Sequence, residues 1–298
     1  MTNIIFKKDF KLEDGIIKFK NFNDTTKKIQ EFYKNDPFPN YREDDTKQTI
    51  LNIGDNNLVA KQIKNFFQFN NKILEVGSGT SQLSSYLAIG TNNQIFAMDP
   101  TIESLNLAKN FSEKNNIKNI NFVNADLFDD VYVDEVFDLV WCSGVLHHTN
   151  EPYLGFKNIL KTLKKKGYII IGLYNSIFRV KTIIRRAIFK LFGKKIILKI
   201  DPYLRSIKND SKKINAWIHD QYEHPVESTH NFEEVLNWFT ENNVEFISSI
   251  PSSESEKNSI FEKQKIGDKI SRFLVQFFAI FSPLGNEGGL FLFIGKKK

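Results

Sequence analysis

The chain has 298 residues, 41% hydrophobic and 26% charged, ordinary values for a folded protein long enough to bury a sizeable core. Its single cysteine, Cys142, excludes an internal disulfide framework and a four-cysteine zinc site. The longest apolar run near the C-terminus, Phe273–Phe281, is interrupted by Gln276 and is far short of the roughly 20 residues a spanning helix needs. The first ten residues carry Lys7, Lys8 and Asp9 and no apolar h-region. No signal peptide is therefore expected, and the expected setting is a reducing cytoplasm. The net charge of +6 is concentrated. Between Ser176 and Ile200 lie Arg179, Lys181, Arg185, Arg186, Lys190, Lys194, Lys195 and Lys199, with no Asp or Glu among them. Without this stretch the chain is slightly acidic.

Residues 1–70 are mixed and polar and read as an N-terminal cap, with a helix over Asn57–Phe67. Ahead of that helix, Asp36-Pro37-Phe38-Pro39-Asn40-Tyr41 forms a stiff turn set by two prolines. Its aromatic residues either plug the core or, through Tyr41, face the substrate. From residue 72 the pattern becomes regular. Strands are expected at Lys72–Val76, Gln94–Met98, Ile120–Val123, Phe137–Cys142 and Tyr168–Leu173, and helices over Ser78–Ile89, Ile102–Lys109 and Tyr153–Leu163. This alternation predicts βαβ units and a parallel sheet covered on both faces. The basic insertion follows, over 174–225. Then come a helix at Asn231–Thr240, a strand at Val244–Ile250, a mostly helical Ser259–Phe281 and a last strand at Gly289–Ile294. Residues 71–298 read as one domain carrying the insertion.

The strongest local signal is Glu75-Val76-Gly77-Ser78-Gly79-Thr80-Ser81-Gln82, which ends the first regular strand and opens the first helix. Glycines there allow close approach of backbone to a ligand. A dinucleotide site wants glycine where Gln82 stands, so a nucleoside site fits better. Glu75 would repel a phosphate, but it can orient the ammonium of an amino acid. Asp99 ends the second regular strand, where a carboxylate can accept from both ribose hydroxyls. Asp126, after the third, can accept from an adenine amino group. The fourth runs into Ser143-Gly144-Val145-Leu146-His147-His148. One strand-terminal Asp is commonly a helix cap; three acidic residues after three successive strands point to a ligand.

These residues resemble the class I S-adenosylmethionine-dependent methyltransferases, closely over 72–175. The resemblance implies a Rossmann-like doubly wound α/β fold: a mostly parallel seven-stranded sheet with an antiparallel last strand, here with a helical N-terminal cap and a basic helical insertion. It implies S-adenosyl-L-methionine as cofactor, held by Glu75, Gly77, Ser78, Gly79, Asp99, Pro100, Asp126, Leu127, Ser143 and Gly144. Phe137-Asp138-Leu139-Val140 and the following Val145–His148 match the family's fourth-strand motif. Leu163-Lys164-Lys165-Lys166-Gly167 stands where the family often has a Leu-Lys-Pro-Gly-Gly turn. Ser81 replaces the usual third loop glycine, and Lys165 and Lys166 replace the proline and first glycine of the later turn. The Pro-Phe-Pro-Asn-Tyr segment and Trp217–Pro225 resemble a bacterial subgroup without an assigned substrate.

Methyl transfer chiefly requires a nucleophile held in line with the methyl group, and a hydroxyl or carbon acid also benefits from a general base. The candidate catalytic residues are His147, His148, Tyr174 and His224. Asn175, Tyr222, Glu227 and His230 join Tyr41 as candidates for the substrate side. His224, Glu227 and His230 are too loosely spaced for a metal site, and none is expected. In the insertion, Ile177, Val180, Ile184, Ile188 and Leu191 define a helix with one apolar face. Three readings follow: a lid with that face on the domain, a peripheral contact with the inner face of an anionic membrane, or an RNA-tracking helix. A second stretch, Ile266, Ile270, Phe273, Leu274, Phe277 and Phe278, reads as core or a dimer contact. The expected reaction is methyl transfer to a small or lipid-like acceptor. RNA methylation is the alternative, and binding of S-adenosylmethionine or a nucleotide without turnover is a third reading.

Overall fold

A computed structural model describes residues 5–34, 37, 40–207, 210–254, 257–282 and 288–298. Asp36, Phe38 and Pro39 of the proline-rich turn lie outside them. The N-terminal segment opens with a hairpin of β1 (Lys11–Glu13) and β2 (Ile16–Lys18). Asp14 and Gly15 join the two strands, both with positive φ (50° and 74°), as a two-residue Asp-Gly turn requires. Three helices follow: α1 (Asp24–Tyr33), α2 (Lys47–Asn56) and α3 (Leu58–Phe66). Asn23 caps α1 by accepting from Thr26 N at 2.8 Å.

The regular alternation comprises β3 (Lys72–Val76), α4 (Gln82–Ala88), β4 (Gln94–Asp99), α5 (Ile102–Lys114), β5 (Ile120–Asn124), β6 (Phe137–Ser143), α6 (Pro152–Lys161) and β7 (Leu163–Tyr174). The insertion is helical: α7 (Val180–Phe192), α8 (Lys194–Ile200), α9 (Pro202–Ser206), α10 (Ser211–Ile218) and a π-helical turn at His219–Glu223. The chain ends with α11 (Phe232–Glu241), β8 (Val244–Ile250), α12 (Lys269–Ala279) and β9 (Leu290–Lys297).

One sheet of nine strands runs in the order β1-β2-β5-β4-β3-β6-β7-β9-β8. Strands β2 to β7 along that order are parallel, and β9 is antiparallel to both β7 and β8. The sheet thus exceeds the expected seven strands by the N-terminal hairpin, whose β2 pairs with β5. That hairpin is too short to announce itself by periodicity. The order turns around at β3, so the crevice at the ends of β3 and β6 is the switch point where such sheets bind ligands. Successive strand residues go to opposite faces. Ile73, Leu139 and Ile170 enter one apolar core, while Leu74, Val140 and Ile169 enter the other. Both faces are covered, which is why these strands read as unbroken apolar runs.

Three local expectations differ from the structure. Leu163–Gly167 is not a turn: it opens β7, with Lys166 in the left-handed region (φ 63°) and a register shift against β6. Between Ser259 and Asp268 the chain is irregular, and helix begins only at Lys269, capped by Asp268. The insertion does not lay its apolar face on the domain. On α7, Thr182 is buried and Arg186 reaches inward, while Val180, Ile184 and Leu191 are exposed. The insertion has a small core of its own, built from Ile197, Leu204, Ile214, Trp217, Ile218 and Tyr222. Buried Asp201 anchors it, accepting from Tyr203 N at 2.8 Å, Trp217 Nε1 at 3.0 Å and the Tyr222 hydroxyl.

Candidate active site

At the switch point lies a cavity of about 410 Å³, within the range of small-molecule sites. One half is built from strand ends. Gly77 and Gly79 adopt φ of +66° and +51° after β3. A Cβ on Gly77 would stand 2.2 Å from Val145 Cγ2, so only glycine fits where the loop meets the segment after β6. Ser81, in place of the third glycine, takes φ +58° and is fully buried. Its hydroxyl donates to Ser78 Oγ at 3.1 Å, a local bond that helps hold a non-glycine residue in a left-handed conformation.

Glu75 is buried at the end of β3, where its Oε2 accepts from Ser84 N at 2.9 Å and from the Ser84 hydroxyl. Burial pushes its carboxyl up to about 7 despite these bonds. Asp99 ends β4. Its Oδ2 accepts from Gly79 N at 2.8 Å and its Oδ1 from Thr101 N at 2.8 Å, tying the glycine loop to the neighbouring strand. Burial raises its pKa, with those donors opposing. Asp126 follows β5 and accepts from Phe128 N and Asn23 N, both at 2.9 Å. It therefore caps its own loop and also fixes the start of α1. Each oxygen of Asp99 and Asp126 keeps a second lone pair for a ligand, and Glu75 keeps its Oε1. All ten residues expected at the cofactor line this one cavity, and Leu127, Ser143 and Gly144 complete its floor.

The other half comes from α1 and the insertion. Thr25, Thr26, Ile29 and Tyr33 of α1 line it, with Trp217, Asp220 and Gln221 of the insertion, and His148 and Tyr174 from the sheet side. Tyr33 donates to Asp220 Oδ1 at 2.6 Å. Gln221 Nε2 donates to Asp220 Oδ2 at 2.7 Å and to Tyr174 Oη at 3.0 Å. Behind this wall sits Arg179, fully buried, its guanidinium 3.3 Å from the Tyr174 ring centroid. It forms a bidentate pair with Glu227, at 2.8 and 2.6 Å, and donates to Gln221 Oε1 at 3.0 Å. Arg186 donates to the same carboxylate at 2.6 Å. Burial would raise the Glu227 pKa, but the two guanidinium groups hold it below the usual carboxylate range.

His148 Nδ1 lies 2.8 Å from Val226 O. A carbonyl only accepts, so Nδ1 carries the proton and Nε2 keeps its lone pair. Burial lowers its pKa to about 4, so the ring is neutral near pH 7. The His224 ring stacks on it at 3.5 Å and is itself lowered to about 3 by burial.

Of the four candidate catalytic residues, His148 and Tyr174 line the cavity, and His147 and His224 stand behind them. His147 is fully buried, accepts from Tyr174 N at 3.3 Å and packs on the Tyr174 ring. None of the residues expected on the substrate side lines the cavity. Tyr41 stacks on Phe111 at 4.3 Å in the core. Asn175 links β7 to α12 by donating to Gln276 Oε1 at 2.8 Å. Tyr222 belongs to the insertion's core, and Glu227 is held by Arg179 and Arg186. His230 pairs with Glu234 at 2.8 Å. Reading by proximity in sequence missed α1 and Asp220, whose register to the sheet no local pattern carries. The only available signal was Asp220 and Gln221 within the Trp217–Pro225 block.

A parallel sheet with a glycine loop after its central strand, and carboxylates at the C-terminal ends of three adjacent strands, is a setting in which open α/β folds bind a nucleotide-type ligand. The family described as methyltransferase domain matches residues 67–261, and the chain belongs to it. An uncharacterized protein of Synechococcus is 30% identical over 112 residues, 37% of this chain and 27% of that protein. A ubiquinone biosynthesis O-methyltransferase of Rickettsia bellii is 26% identical over 121 residues, 40% of this chain and 49% of that enzyme. The chain thus spans between about a quarter and a half of the curated relatives it matches. Two solved structures share the fold at low identity. PKMT2 of Rickettsia typhi superimposes with a TM-score of 0.57 at 15% identity, over 80% of this chain and 52% of that one. The magnesium protoporphyrin IX methyltransferase of Synechocystis, solved with bound SAH, superimposes with a TM-score of 0.54 at 11% identity, over 92% and 100%. Among the described residues no helix is long and apolar enough to cross a membrane.

Proposed function

We propose that the protein transfers a methyl group from S-adenosylmethionine to a hydroxyl of a small or lipid-like acceptor. The observation that carries this reading is the two-sided cavity. Strand ends with three carboxylates form one half, and a roof of α1 and the insertion bears Tyr33, Asp220, Gln221, Tyr174 and His148 on the other. A roofed cavity of about 410 Å³ suits a small head group better than a folded polymer. The kinship with an enzyme named for ubiquinone biosynthesis, an O-methyltransferase, points the same way.

In this reading Asp99 receives the ribose hydroxyls, Asp126 and Leu127 hold the adenine end, and Glu75 orients the amino-acid end. S-adenosylmethionine supplies a methyl group already activated by its sulfonium. The chain's own task is to place the acceptor oxygen in line with it and to exclude water. His148 Nε2, neutral with its lone pair free, takes the acceptor's proton. The Val226 carbonyl holds the ring, and stacked His224 backs it. The hydroxyl of Tyr174 and the carboxylate of Asp220 orient the acceptor.

The test incubates the protein with methyl-labelled cofactor and a cell extract, then partitions the products. Label in the lipid and small-molecule fractions is expected, and label in RNA instead contradicts the reading. His148→Asn keeps a donor for Val226 O and removes the base. It should lower kcat about 10²-fold and leave cofactor affinity unchanged. An unchanged kcat would remove His148 from the mechanism.

A further inference from the structure

Helix α7 has two working faces. Its inner face carries Arg179, Thr182 and Arg186 and backs the cavity wall. Its outer face exposes Ile183, Ile184 and Leu191, the last 76% exposed. Helix α12 and the residues just after it present a second exposed apolar stripe, with Ile270 71% and Phe281 69% exposed and Phe278 between them. The two stripes meet where Lys181 Nζ lies 5.6 Å from the Phe281 ring centroid. Exposed aromatic and branched residues at helical spacing on adjacent helices form an apolar surface larger than scattered surface residues explain.

The charge beside it decides what covers it. Lys190, Lys194, Lys195 and Lys199 are all exposed along α7 and α8, and no Asp or Glu occurs from 176 to 200. A second copy of the same surface would set these cations against each other. An anionic bilayer satisfies both features, because its headgroups pair with lysines while its acyl boundary takes the apolar side chains. Between Lys190 and Lys199 the one exposed aromatic is Phe192, and a single ring at the edge of the apolar stripe is not the series of stacking platforms expected of an RNA surface.

We propose that the outer faces of α7 and α12, with the lysines of α8, dock the protein on an anionic phospholipid surface. The proposal goes beyond methyl transfer and does not require it. If the acceptor is lipid-like, the same helix that meets the bilayer also backs the wall at the acceptor end of the cavity, through Arg186 on Gln221 O.

The test is co-sedimentation of the full chain with phosphatidylcholine vesicles, with and without phosphatidylglycerol. Three proteins are compared: wild type, Leu191→Ser with Phe278→Ser, and Lys194→Glu with Lys195→Glu. All four positions are exposed, and an S-adenosylmethionine titration of each variant checks that its fold is intact. Wild type should bind the phosphatidylglycerol vesicles and release with salt. Each double variant should bind about tenfold more weakly or less. Three results would overturn the proposal: no vesicle binding by wild type, binding that neither variant weakens, or a dimer dissolved by the serine variant without any vesicle binding. Binding to RNA in place of vesicles would overturn it too. Vesicle binding needs no turnover, so its failure leaves methyl transfer standing, and failed methyl transfer leaves the docking surface standing.

Discussion

The two halves of the cavity are built on different principles. The cofactor half uses strand ends: Glu75, Asp99 and Asp126 lie within two residues of the C-terminal ends of three adjacent parallel strands, and the sheet register brings them together. The acceptor half uses a buried polar network that joins residues far apart in sequence, such as Tyr33 with Asp220 and Arg179 with Glu227. The first half is a fixed frame. The second is held by charges and hydrogen bonds that depend on one another, so single losses there should spread.

The largest expected effect lies in the second half. Arg179→Met leaves Glu227 buried with half its partners and removes the guanidinium from the Tyr174 face. Breaking a buried pair in this way costs about 3–5 kcal/mol, to be read by urea unfolding. Loss of less than about 1 kcal/mol would show that the network is slack and the comparison wrong. Next comes Gly77→Ala in the frame. The added Cβ meets Val145 and the residue keeps a positive φ, so cofactor affinity should fall about 10²-fold, measured by calorimetry. Unchanged affinity would mean that the loop does not approach its ligand closely.

A pH experiment separates the halves more finely. His224 titrates at about 3 when folded and near 6.5 when unfolded. Its stabilising contribution is complete above pH 6.5 and is lost as pH falls toward the folded value. From pH 6.5 to 5 this amounts to about 2 kcal/mol. Glu75, held up to about 7 in the frame, works in the opposite sense. The difference between wild type and His224→Phe isolates the imidazole, and it should shift by about 2 kcal/mol in favour of the variant over that range. Parallel pH curves would show that His224 is not buried neutral.

The same contrast explains what the sequence disclosed. Strand-terminal Glu75, Asp99 and Asp126 were legible because a parallel sheet covered on both faces leaves unbroken apolar runs, and the chemistry stands at their ends. Ser81 was legible as a departure; its left-handed backbone was not. The hairpin at Lys11–Lys18 escaped because three-residue strands carry no period. Tyr33 escaped because α1 is amphipathic with no buried residue of its own, and its partner lies 187 positions away. Glu227 and His230 looked like functional groups, yet both are consumed by pairing within the protein, Glu227 with distant Arg179 and His230 with nearby Glu234. Tyr222 is spent on Asp201. Polar residue type alone cannot separate a group that faces a cavity from one that holds the wall behind it.

The central claim is that the frame holds the cofactor independently of the acceptor wall. Calorimetric titration with S-adenosylmethionine and S-adenosylhomocysteine, on wild type, Asp99→Ala and Tyr33→Phe, tests it most directly. Micromolar binding by wild type is predicted, weakened about 10²-fold in Asp99→Ala by the loss of a carboxylate accepting two hydroxyls and unchanged in Tyr33→Phe. No binding by folded wild type, or equal weakening in both variants, would contradict the account.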